Sequence, residues 1–437
     1  MIRKVVTVFC ITWFLLVTAY FGTVKLIPAK SIQKNMLSSA VFLKDKDPFT
    51  LPKGAVKNGF LDYYADSILL NLIWHHDSEN VIESVLESAY YDNIMMEQTE
   101  NFYISVSEQK RANQEYLRYW HGSAVLLRPL FLVLDLQGIF VFFAIVLCVL
   151  TLALICQCVK SKLTGVGAAF VIASIACQIW WTPFCLEYYW CALWMLVSGN
   201  VLLRMLRKGQ EKWLWALFLI SGMVTAFTDF LTTETLTLTV PLLFWLCLRQ
   251  KAEAGSGKNE SRGMGRKKTL MDERLLDLVR FCIFWGAGYV LMMVSKWGLA
   301  SLYYKRSVMP QVMGHITERM GSSGLQSAMG NTFAAAIRRN LSMMIPFCFG
   351  PAGIAAGVVV LILFVYLIYV YRKKHIDRGR ILLLLLVGLI PYLRFLVIRN
   401  HSILHYFFTY RAQIATVMAF LCVAANCVDI KSLIRHK

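Results

Sequence analysis

The chain has 437 residues, 57% of them hydrophobic and only 16% charged, with a mean hydropathy of +0.55. Ordinary globular domains are roughly 45–50% apolar, and one or two soluble cores cannot hide this surplus; disorder is excluded because ample apolar surface offsets the entropy of ordering. The net charge of +19 comes from 45 Lys and Arg against 26 Asp and Glu, but the basic residues cluster in short loops between apolar runs, the pattern of a membrane protein's cytoplasmic loops and not of a nucleic-acid-binding face.

Met1–Lys4 is basic, and Val5 to about Ile27 is a mainly apolar run with no small-residue cleavage site behind it. That is the pattern of a retained signal anchor whose far end faces out. Pro28 to Gly122 carries half of the acidic residues and no cysteine, so this large loop is not stapled by disulfides. Tyr63, Tyr64, Ile68, Leu69, Leu72 and Ile73 recur at helical spacing within it, as do Val81, Val85 and Leu86. The loop is expected to form short juxtamembrane helices packed on the bundle.

Nine further apolar runs follow, with cores at 138–158, 164–184, 188–206, 212–228, 234–249, 275–298, 351–371, 380–398 and 411–429. The expected fold is an all-α integral membrane protein of about ten transmembrane helices with a large helical first extracytoplasmic loop. Its parts are a first transmembrane helix at 1–27, an extracytoplasmic loop at 28–137, transmembrane helices 2–6 at 138–249, a cytoplasmic basic linker at 250–274, and helices 7–10 at 275–437 with an outer loop at 301–350. Alternating sides places basic segments inside and leaves both termini cytoplasmic, in the plasma membrane. Lys305–Arg339 and Arg399–Arg411 fall outside and break the charge rule. The Gly-, Ser- and Lys-rich stretch Gln250–Lys268 reads as a solvated linker near anionic lipid.

No nucleotide loop, HExxH, CxxC or GxSxG fingerprint occurs. What remains is ionisable residues at membrane depth, which are costly and therefore functional candidates. Asp62 and Asp66 in GFLDYYADSILLN are spaced to share a helix face, as a general base and a partner that tunes it, although Asp62 is also a plausible helix cap. YWHGSAVLLRPLF brings His121 and Arg128; a guanidinium binds phosphate bidentately, or snorkels to headgroups. TDFLTTETLTLTVPLL sets Asp229 and Glu234 in a threonine-rich hairpin. RNHSILHYFFTYRAQ supplies Arg399, His401, His405, Tyr410 and Arg411, with Arg394 in the preceding run. All four clusters map to the outer face, where an acid beside a cationic patch suits transfer from a lipid-phosphate donor.

This order of parts resembles the GT-C-type glycosyltransferases, which combine a multi-span bundle, a first outer loop carrying an acid, and late basic residues holding the phosphate of a polyprenyl-linked sugar. The segments GFLDYYADSILLN, YWHGSAVLLRPL, TDFLTTETLTLTVPLL and NHSILHYFFTYR also resemble a group of uncharacterised bacterial integral membrane proteins. The resemblance implies that Asp62, or failing it Asp66, is the loop acid. It implies that Arg399, His401, His405 and Arg411 are the late contacts. The expected activity is transfer of a sugar from a polyprenyl-(di)phosphate donor to a cell-envelope glycan, lipid or protein, with Arg128 joining the late residues at the leaving group. No nucleic acid or organic cofactor is expected, and a divalent metal is left open, without ligand spacing to argue for one. The competing expectations are a transporter or flippase of a lipid-linked glycan and a non-catalytic membrane subunit.

Overall fold

The computed structural model describes residues 1–50, 61–255, 264–321, 332–373 and 376–428. The expected tail at 431–437 and the middle of the expected 250–274 linker lie outside the described residues. Most of the described chain is helix. The chain starts with α1 (Ile2–Leu26) and α2 (Ala29–Lys44). The strands β1 (Phe49–Thr50) and β2 (Leu61–Asp62), paired antiparallel, lead into α3 (Tyr63–Trp74), α4 (Val81–Glu87), α5 (Gln98–Ser107) and α6 (Ala124–Phe131). The bundle continues with α7 (Leu136–Lys160), α8 (Thr164–Ala176), α9 (Leu186–Arg207), α10 (Leu214–Thr228), α11 (Leu236–Gly255) and α12 (Met264–Tyr304). Then come α13 (Met309–Met320), α14 (Phe333–Leu341), α15 (Pro351–Val370), α16 (Arg378–Val397), α17 (Arg399–Leu404), α18 (Tyr406–Thr409) and α19 (Ile414–Cys427).

Among the described residues seven helical segments are long and apolar enough to cross a bilayer: α1, α7, α9, Met271–Tyr304 of α12, α15, α16, and Tyr406–Cys427 across α18 and α19. The chain is an all-α protein of the multi-pass membrane class. The other three expected spans fall on shorter apolar helices. α8 has 13 residues and α10 has 15; at 1.5 Å per residue these fall short of a hydrocarbon core of about 30 Å. Leu236–Arg249, the apolar part of α11, is likewise short. The threonine-rich turn explains part of this: Asp229 accepts from the Thr232 amide (3.0 Å) and hydroxyl (2.5 Å), ending α10 in a compact buried turn.

α10 and α12 cross at touching backbones. A Cβ on Gly222 would lie 2.1 Å from the Trp285 carbonyl oxygen, and one on Gly288 would lie 2.2 Å from that of Leu219. Two reciprocal glycines thus set the helix separation, as small residues do where lipid supplies no hydrophobic drive. Gly288→Leu is expected to lower thermal stability in detergent by about 2 kcal/mol. Gly286→Ala, where nothing lies within 4 Å of the added carbon, should leave it nearly unchanged.

The helices α2 to α6 form a cap over one end of the bundle. It is held there by cations aimed at helix C-termini, where carbonyls lack intrahelical partners. Arg128, fully buried on α6, donates to the Ile73 carbonyl at the end of α3 (2.5 Å) and to the Ile27 carbonyl just past α1. Lys296, fully buried on α12, donates to the Val85 carbonyl of α4 (2.5 Å). Tyr20 of α1 bonds His76 at 2.6 Å.

Candidate functional site

The site starts with a helix cap. Asp62 precedes the first turn of α3, and its Oδ1 accepts from the Ala65 amide at 2.8 Å. Capping carboxylates favour helix starts in this way. It also corrects the sequence expectation for the pair: Asp62 stands ahead of the helix, so Asp62 and Asp66 do not line one hollow. Asp66 turns behind it, fully buried, and its Oδ1 accepts from the Leu186 amide (2.8 Å) and the Cys185 thiol (3.4 Å). Asp66 therefore pins the start of α9 beside Asp62. Glu187, on the first turn of α9, hydrogen-bonds Asp62.

Asp62 and Glu187 open into a crevice of about 730 Å³, its mouth included, between cap and bundle. Ile68, Leu69 and Leu72 of α3 form an apolar wall, with Tyr64, Tyr116, Phe230 and Phe408 presenting rings. Arg319 of α13, His121, His401 and His405 line the same crevice as the two acids. A carboxylate from early in the chain and cationic or hydrogen-bonding groups from its last third thus share one hollow.

Their charge states follow from burial. Asp62 is raised from an ordinary 3.8 to about 7, because burial outweighs the Ala65 and Glu187 hydrogen bonds. Burial and then the Asp62 charge push Asp66 well above the carboxylate range. Burial drives His121 and His401 well below their ordinary value and His405 down to about 4. The three imidazoles are neutral at pH 7, so Arg319 is the cation of the crevice. Its Nη1 donates to the Tyr119 hydroxyl. His121 sits at φ 54° and uses Nε2 on the Tyr116 carbonyl (3.2 Å), leaving Nδ1 unpartnered.

Because Asp62 binds its proton more tightly folded than unfolded, its contribution to stability is complete below pH ~4 and lost as pH rises through about 7. Asp62→Asn keeps a capping side chain but cannot ionise. It should flatten the decline in melting temperature between roughly pH 5 and pH 8, a comparison readable by thermal scans in detergent.

The remaining expected residues lie elsewhere. Arg128 is occupied as a helix-end clamp and does not line the crevice. Asp229 organises its turn. Glu234 accepts from Arg394 Nε at 2.7 Å in a buried ion pair, and Arg394 also donates to the Leu231 and Thr232 carbonyls at 2.7 and 2.9 Å. These three bonds tie α16 to the threonine-rich turn. Arg399 opens α17 and is not a lining residue. Tyr410 and Arg411 are buried and do not line the crevice, the Arg411 guanidinium lying 4.6 Å from the Tyr188 ring centre and 4.9 Å from that of Tyr410. Sequence reasoning missed Arg319 and Glu187. The signal for Arg319 was the basic outer stretch that broke the charge rule; for Glu187 it was an acid on the first turn of an apolar helix.

His401 and His405 stack with ring centres 4.6 Å apart. Among the described residues no group of three or more His, Cys, Asp or Glu is arranged to hold a metal ion. No protein-family model, curated protein or solved structure matches this chain, so function has to be read from the geometry.

Proposed function

We propose that this protein is a GT-C-like glycosyltransferase that moves a sugar from a polyprenyl-(di)phosphate donor to a cell-envelope acceptor at the outer face of the plasma membrane. In this reading the three shorter apolar helices complete ten spans, both termini are cytoplasmic, and the cap of α2 to α6 is the extracytoplasmic loop. Asp62 takes the proton of an acceptor hydroxyl while that oxygen attacks the anomeric carbon. The bond from that carbon to the phosphate oxygen breaks, and its electron pair stays on the phosphate. A base titrating near the working pH is the efficient choice, and burial brings Asp62 to about 7.

The observation that carries the reading is the position of Arg319. It lines the polar crevice and also a second, mainly apolar groove of about 730 Å³. Tyr289, Val290, Met293 and Trp297 of α12 face Val312 and Ile316 of α13 across that groove. An anionic headgroup at Arg319 could keep its hydrocarbon chain in the groove and its reactive end in the crevice. Charge-assisted bonds to the leaving phosphate strengthen as negative charge develops there, and neutral His401 and His405 can donate further bonds. Asp66, Arg128, Asp229 and Glu234 support the site as structural residues.

The test is transfer of radiolabelled sugar from a polyprenyl-phosphate sugar by the purified protein in proteoliposomes. Wild type should transfer. Arg319→Ala should weaken donor binding about 10- to 100-fold, the worth of a charge-assisted hydrogen bond. Donor binding by Arg319→Ala equal to wild type would remove the reading.

A further inference from the structure

The crevice contains a second carboxyl group with no role in the scheme above. Glu187 is hydrogen-bonded to Asp62, and its Oε2 has no partner. A hydrogen bond between two carboxyl groups requires a proton on one of them, since two like charges at that distance do not both persist. Asp62 holds a second donor, the Ala65 amide. Glu187 lines the same crevice as Asp62 and Arg319 and feels the charges of Asp66 and Asp229 as well as that of Asp62, with Arg319 acting in the opposite sense. The fixed donors therefore favour the anion on Asp62 and the proton on Glu187.

We infer that Asp62 and Glu187 share one proton, with Glu187 the protonated member whose O–H keeps Asp62 ionised and aimed into the crevice. Glu187 is a positioning residue: the acceptor's proton goes to Asp62. After transfer both carboxyl groups are protonated, and one proton leaves to water through the open mouth. The other groups around Asp62 are Asp66 on its own helix, Cys185 and Tyr188 on α9, and Arg319 on α13. His121, His401 and His405 complete the surroundings and stay neutral across the working range. The inference rests on the transfer reading for its purpose but not for its test.

The experiment compares wild type, Glu187→Gln and Glu187→Leu in nanodiscs, by the pH profile of kcat/KM and by infrared titration of the Asp62 carboxyl band, isolated by subtracting the matching Asp62→Asn protein. An amide N–H replaces the carboxyl donor, so Glu187→Gln should leave the acidic limb and the band near their wild-type positions. Glu187→Leu removes the donor and should move both upward by about 1–2 pH units. If Glu187 were an ionised neighbour, removing its charge would move both downward in each variant. A downward shift, or coincident titrations in all three proteins, overturns the inference. The infrared signal needs no turnover: absence of transfer by wild type would sink the transfer reading while the band still decides the shared proton.

Discussion

Asp62→Asn is expected to lower sugar transfer by about 10²- to 10⁴-fold, the usual worth of a positioned general base, while donor affinity stays at its wild-type level. The asparagine still caps α3, so the crevice keeps its shape and the loss reports proton transfer alone. The wild-type rate should rise with pH through about 7, because the base must be ionised and burial has raised Asp62 to that value. Asp66→Asn should behave differently. Its Oδ1 is committed to the Leu186 amide and Cys185 thiol at the start of α9, so the change should act on stability more than on the pH profile. Transfer rates of the two variants, measured beside their melting temperatures, separate a base from a supporting acid.

Arg128→Ala is expected to have the largest structural effect. The guanidinium is fully buried and serves the ends of two helices at once, through the Ile73 and Ile27 carbonyls. Removing it leaves the Ile27 carbonyl without a donor and the Ile73 carbonyl with only the long His76 amide bond (3.4 Å), and an unsatisfied buried carbonyl costs about 1–3 kcal/mol. The cap should loosen from the bundle, with a lower melting temperature and new protease cleavage inside the loop of residues 28–122. Arg306→Ala is the contrast: its bridge to Glu115 (2.8 Å) joins side chains that are 57% and 39% exposed, and such pairs contribute at most about 1 kcal/mol. A stable, protease-resistant Arg128→Ala protein would show that the clamp does not hold the cap.

Hydropathy alone located every long apolar helix among the described residues, because a segment that crosses lipid needs an uninterrupted apolar run. Three of the ten expected spans correspond to shorter apolar helices, and the Thr-rich run expected as a hairpin folds as a turn around Asp229. Between residues 28 and 122 the helical spacing of Tyr63 to Ile73 and of Val81 to Leu86 did correspond to helices α3 and α4. The site was legible only in part. Asp62, His121, His401 and His405 were recognisable as polar groups at membrane depth, and they do share a crevice. Arg128, Glu234 and Arg394 carried the same signal for a different reason, namely that buried carbonyls and carboxylates need cations to satisfy them. Sequence spacing cannot distinguish a cation that clamps a helix end from one that faces a hollow. That distinction is set by long-range packing, such as the meeting of α13 with α17, which brings Arg319 into one crevice with an acid far away in the chain.

The most direct measurement of the central claim is photoaffinity mapping with a polyprenyl phosphate carrying a diazirine along its chain, read by peptide mass spectrometry in wild type and Arg319→Ala. Labelling concentrated on α12 and α13, around Tyr289 to Trp297 and Val312 to Ile316, and diminished in Arg319→Ala, is the expected result. Labelling spread evenly over the lipid-facing helices, or unchanged by loss of Arg319, would contradict a lipid phosphate seated between the groove and the crevice.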